Sequence, residues 1–151
     1  MSLKQCFKGS LDVPLIPYGR RVIKTIAMTA GNVITNLNPG VGKRWNVMFG
    51  EITLITDGTA ANRYVRALFS DAAGNTLYRI LNTGVAITAN TTISVEFGKQ
   101  HILRGSDGVT HNTSLPNDAI IEGTDLFKIY IANGQAGDSY SGRFVVMEYD
   151  V

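Results

Sequence analysis

The chain has 151 residues, a formal net charge of +2, one cysteine and only 17% charged residues. A length of about 100–200 residues is that of one domain, with enough chain to bury a core unaided. Cys6 has no partner within the chain, which excludes a disulfide scaffold and a zinc ribbon. Acids and bases are interspersed, so the charge carries no nucleic-acid footprint, and no apolar run approaches the roughly 18 residues of a membrane helix. Met1–Lys8 lacks the apolar core of a secretory signal. The expectation is folding in a reducing cytoplasm, with any exit from the cell either by another export route or inside an assembly.

Residues 1–19 stand apart from the rest of the chain. They carry Gly9, Pro14, Pro17 and Gly19 without a sustained period, yet Leu11, Val13, Leu15 and Ile16 are apolar. Proline lacks an N–H donor and is confined to edges or extended segments. The segment reads either as a first edge strand or as an arm that crosses to a neighbouring subunit. An extended, alternating segment can lie along another chain's sheet edge, so Leu11, Val13, Leu15 and Ile16 are the expected assembly contacts.

From Arg21 onward one short strand succeeds another. Arg21–Thr29 opens the series, and a long loop runs through Asn36-Leu37-Asn38-Pro39-Gly40. Trp45–Thr56 is the longest strand signal, and its buried parity shifts: Trp45, Val47 and Phe49 share one phase, Ile52 and Leu54 the other. A bulge at Gly50-Glu51 would account for the shift. Arg63–Phe69 and Thr76–Leu81 flank Asp71-Ala72-Ala73-Gly74-Asn75, a hairpin with Gly74 as its left-handed residue. Val85–Thr88 and Thr91–Phe97 come next, then an irregular polar region, 98–117. Ala119–Ile121, Asp125–Ala132 and Ser141–Tyr149 complete the chain.

Period-2 alternation in Ile93/Val95/Phe97, Phe127/Ile129/Ile131 and Val145/Met147/Tyr149 is that of strands with one buried face. Together these runs predict an all-β domain over residues 20–151, a single antiparallel sandwich of about eight or nine strands with jelly-roll-like connectivity. Val47, Phe49, Ile52, Leu54, Leu68, Ile93, Val95, Phe97, Ile129, Ile131, Val145 and Met147 are the expected core.

No catalytic pattern stands out. Pro39-Gly40-Val41-Gly42-Lys43-Arg44 lacks the first glycine and the hydroxyl of a phosphate-binding loop and reads as a turn. His101 and His111 are too far apart for a metal pair. Ser139-Tyr140-Ser141-Gly142 lacks the setting of a nucleophile elbow. Glu51, Glu96, Glu122 and Glu148 are scattered and read as solvent-facing or strand-end residues. Trp45, the sole tryptophan, reads as a core anchor. The expectation is a chain with no enzymatic activity, cofactor or metal.

The order of features carries a resemblance. Trp45 opens a strand reaching Thr56-Asp57, Asn62-Arg63 opens the next, and Asp71–Asn75 forms a hairpin. Leu115-Pro116 precedes a short apolar strand and Gly123-Thr124-Asp125, and Gly137-Asp138 leads into a terminal strand ending Val145-Val146-Met147-Glu148-Tyr149. This resembles the small β-sandwich virion proteins of tailed bacteriophages, over residues 20–151. The resemblance implies a structural protein that decorates or cements the capsid, or builds head-fibre, neck or tail parts. It further implies self-association, with a trimer as first choice, contact with a major capsid or other virion protein, and no nucleic acid or membrane partner. Its place would be the virion, after synthesis in the host cytoplasm. The alternative is a lectin-like module that binds a glycan, including as a receptor-binding part of a virion, through exposed aromatics around Trp45 or the 98–117 loops.

Overall fold

The computed structural model describes residues 19–82, 86–99, 110–115 and 119–151. Its strands are β1 (Arg20–Ala30), β2 (Thr35–Leu37), β3 (Gly40–Ile55), β4 (Tyr64–Ser70), β5 (Thr76–Asn82), β6 (Thr92–Lys99), β7 (Thr110–Leu115), β8 (Ile120–Gly123), β9 (Leu126–Ala132) and β10 (Ser139–Asp150). One sheet runs β1-β10-β3-β6-β7, with β8 also on β3, and the other runs β2-β9-β4-β5. With β7 and β8 set aside as an insertion, the eight remaining strands order 1-8-3-6 and 2-7-4-5. That winding is a jelly roll, so the all-β sandwich read from the sequence holds.

Several details differ from the sequence reading. Among the described residues there are ten strands rather than eight or nine. β2 lies inside the expected loop, because three residues are too few to display a period. β3 begins at Gly40, where Gly40 and Gly42 take positive φ values of 91° and 74°, so Pro39–Arg44 is mostly strand entrance rather than turn. β7 lies inside the region expected to be irregular, where Thr110–Leu115 offers no apolar alternation, and it pairs parallel to β6. The 86–88 part of the expected strand at 85–88 contributes only a bridge between Ile87 and Arg63. The hairpin after β4 is as read: Gly74 has φ 91°, and Asp71 accepts from Asn75 N at 2.8 Å.

The core lies between the sheets and centres on Phe127. Its ring meets Phe144 at 4.9 Å, Phe69 at 5.6 Å and Phe97 at 6.2 Å, all edge to face. Such pairs add to plain area burial. Of the expected core, Phe49 and Met147 are not in it, and Leu68 and Val145 are buried but stand outside the cluster between the sheets. Phe49 is 48% exposed and Met147 is half-buried. In β10 the buried parity is Phe144 and Val146, not Met147 and Tyr149. A run apolar on both faces does not reveal its inner side.

The cause is in β3. Phe49 pairs with Val145 while Val47 pairs with the next residue, Val146, leaving Met48 as the extra residue of a bulge. The parity switch therefore precedes Gly50 instead of falling on it. Gly50 is the first inward position of the new phase, and a Cβ there would lie 2.5 Å from Phe97 Cζ and 2.6 Å from Phe144 Cβ. Only glycine fits beneath the aromatic cluster.

A buried ion pair closes one end of the sandwich. Arg63, fully buried, donates from Nε to Asp138 Oδ2 and from Nη2 to Asp138 Oδ1, both at 2.9 Å, and from Nη2 to Asp57 Oδ1 at 2.7 Å. Asp138 also accepts from the backbone N–H of Asp57 and Gln135. Burial pushes the Asp138 carboxyl up, but Arg63 and these N–H groups outweigh it and hold it below its ordinary value. Two segments far apart in sequence, 57–63 and 135–138, are thereby tied together.

Two substitutions at phenylalanine should separate core from surface. Phe127→Ala is expected to cost about 3–5 kcal/mol, and Phe49→Ala less than about 1 kcal/mol, by urea denaturation with tryptophan fluorescence. Arg63→Met leaves Asp138 buried and unpaired, and should cost about 3–5 kcal/mol by the same measurement.

Candidate interaction surface

The bulge that removes Phe49 from the core places it on the outer face of the larger sheet. Cross-strand register there builds a row: Ile23 opposite Val145, Val145 opposite Phe49, Phe49 opposite Gly98. Ile23 is 64% exposed. Val145 lies beneath its two neighbours and is buried although it points outward, which is why both parities of β10 are apolar. A Cβ at Gly98 would lie 3.2 Å from Phe49 Cβ, so glycine leaves room for the ring at the end of the row. The apolar row floors a cleft of about 500 Å³.

Charges bound the row on both sides. On one side Arg143 stands opposite Glu51, and Glu51 opposite Glu96. The Glu51 carboxylate accepts from Ser94 Oγ at 3.0 Å and lies 3.6 Å from Arg143 Nη2. On the other side are Arg21, Met147, Asn46 and Lys99. The Arg21 guanidinium lies over the Phe49 ring, 5.7 Å from its centroid, and Lys99 Nζ donates to Asn46 Oδ1. The apolar stripe therefore runs between a rim with two carboxylates and a rim with two cations.

Glu148 is not the solvent-facing residue that its scatter implied. It is 8% exposed, at the inner end of β10. The Trp45 indole N–H donates to Oε2 at 2.9 Å, Arg20 donates to Oε1 at 3.0 Å, and Lys24 and Lys43 stand 3.6 Å away. Lys24 also sits 4.5 Å from the centroid of the Trp45 ring. The Trp45 bond above all, with the cations, outweighs burial and lowers the carboxyl pKa to about 2.

Trp45 is thus a buried donor rather than a sugar platform, and Tyr140 is fully buried, its hydroxyl shared among Thr35 Oγ1 and the Val33 and Ile129 carbonyls. Tyr64 and Tyr130 are half-buried. Phe49 and Tyr78, the well-exposed aromatics among the described residues, belong to different sheets and form no row. Leu11, Val13, Leu15, Ile16 and His101 lie outside the described residues. His111 belongs to β7. Among the described residues no three His, Cys, Asp or Glu side chains converge as metal ligands.

Comparison with known proteins adds little. No family model matches the chain, and no curated protein matches it. Among solved structures it is similar to one described as the structure of infectious bursal disease virus Gx strain, at 17% identity and a TM-score of 0.38. The match covers 87% of this chain but only 30% of that one. A likeness at that TM-score carries no argument about function.

The Glu148 knot sets a pH dependence. A folded-state pKa of about 2, against 4.5 for the free group, contributes stability that is complete above about pH 5 and lost as pH falls toward 2. Allowing for screening at the exposed Arg20, the contribution is on the order of 2–3 kcal/mol. Glu148→Gln should therefore unfold more easily than the parent at pH 7, and the two stabilities should converge near pH 2. An unchanged difference across acid titration would show that shape, not charge, is what Glu148 supplies.

Proposed function

We propose that this chain is a non-enzymatic structural component of a virus particle. On this reading it decorates or cements a tailed-phage capsid, or forms part of its head, neck or tail, through protein–protein contacts. The single observation in support is the jelly-roll winding, an architecture used by capsid and lectin domains. That warrant is fold-level analogy. Trp45 and Tyr140, being buried, favour the capsid-type use over the glycan-binding one.

The strongly held carboxylates support a structural role as well. Asp138 and Glu148 spend their oxygens on Arg63, Trp45, Arg20 and backbone donors, contacts that hold strands together. The partners under this proposal are copies of the chain and an adjoining virion protein, in a particle assembled after synthesis in the host cytoplasm.

The N-terminal segment supplies the attachment in this proposal. Leu11, Val13, Leu15 and Ile16 give it apolar anchors, and Pro14 and Pro17 keep it extended. A chain beginning at Arg20 should keep its β circular dichroism and most of its thermal stability, yet fail to enter particles when produced alongside the other virion proteins. Mass spectrometry of purified particles reads the outcome. Absence of the full-length chain from such particles would defeat the assignment. Unfolding on truncation would instead make residues 1–19 an edge strand of their own domain.

A further inference from the structure

We propose that the outer face of the larger sheet is a two-fold contact between copies of this chain, with the Ile23–Val145–Phe49 row of one seated on the same row of the other. The proposal rests on reading the chain as an assembly component and says which face is used.

The argument starts from what the face exposes. Ile23 and Phe49 are 64% and 48% exposed, side by side over a buried Val145, and together they line the cleft. Isolated surface apolar residues need no explanation, but a contiguous apolar row inside a charged rim marks a contact site. The occupant is then set by the rims. One carries Glu51 and Glu96 with Arg143, whose guanidinium lies 3.6 Å from Glu51, and the other Arg21 and Lys99. A two-fold axis along the apolar row brings each rim against the opposite rim of the partner. Glu96 of each copy then meets Lys99 of the other, because β6 lies over β6 in reversed direction. Through these two Glu96–Lys99 pairs the same chain supplies both halves of the contact, as an isologous interface requires.

Glycan binding fits this face less well. A sugar would stack on an open aromatic ring, whereas the Arg21 guanidinium already occupies one face of Phe49.

The size of the face sets the strength. Strands about 4.8 Å apart, rising about 3.3 Å per residue, give five strands of about seven residues roughly 550 Å² per copy. A pair would bury about 1,100 Å², at the weak end of specific interfaces. Association should therefore depend on concentration. A two-fold pair is a different arrangement from the trimer that the resemblance implies.

Sedimentation equilibrium of the full chain over about 1–200 μM tests this, since weak interfaces populate in that range. The expected result is a monomer–dimer equilibrium. Phe49→Asp and Ile23→Asp should each weaken it by at least about tenfold, with the circular dichroism spectrum and melting temperature unchanged because both sites are exposed. The sharper arm uses charge. Glu96→Lys alone and Lys99→Glu alone should each dimerise poorly, and an equimolar mixture of the two should form a heterodimer. An ion pair within one chain cannot produce that rescue. A parent that stays monomeric throughout overturns the proposal, as does a dimer or trimer indifferent to Phe49→Asp, or a mixture without rescue. Binding of an oligosaccharide to a monomeric parent, lost in Phe49→Asp, overturns it in favour of the glycan reading. A monomeric parent that still enters virus particles removes this contact and leaves the assembly reading standing.

Discussion

The bulge at Met48 is the constraint on which the larger sheet depends. β3 is the longest strand and pairs with β10 along its length, with β6 over one half and with β8 over the other. A bulge bends a long strand and shifts which parity it buries. The extra residue makes that change in one step. It leaves Trp45 and Val47 inside, sends Phe49 out, and brings Gly50 under Phe97 and Phe144, where no side chain fits. One irregularity thus yields both a requirement of the core and the apolar row of the outer face.

Two charged knots hold the winding beside the hydrophobic core. Arg63 binds Asp57 within its own loop and Asp138 in a loop 75 residues further along the chain. Glu148 binds Trp45, Arg20, Lys24 and Lys43, joining β10 to both of its neighbours, β1 and β3. Buried charges are costly to desolvate, and an apolar replacement is often no less stable. Their contribution here is geometric: each names its partners, and each lies where strands of different sequence separation must meet in one register.

The outer face obeys a different logic from the knots. Glu51 and Glu96 stand directly opposite each other across β3 and β6, an arrangement that is unfavourable on an isolated sheet. Arg143 and Ser94 relieve Glu51.

The sequence determined the class of this fold because period-2 alternation and turn chemistry are local. Phe127/Ile129/Ile131 and Ile93/Val95/Phe97 bury in the sandwich whatever lies beside them, and Gly74 turns its hairpin by its own φ. Parity was legible only where one face is polar. In β10 both faces are apolar, and Phe144 and Val146 could not be told from Val145 and Met147 until β3 was placed alongside. The bulge could be located only to within a residue or two, since the shift is visible in sequence but its position is set by the register with Val145 and Val146. Tertiary structure alone decided the rest. Arg63 finds Asp138 and Trp45 finds Glu148 through pairings that no local signal encodes. Ile23, Val145 and Phe49 become one surface because three strands distant in sequence lie side by side.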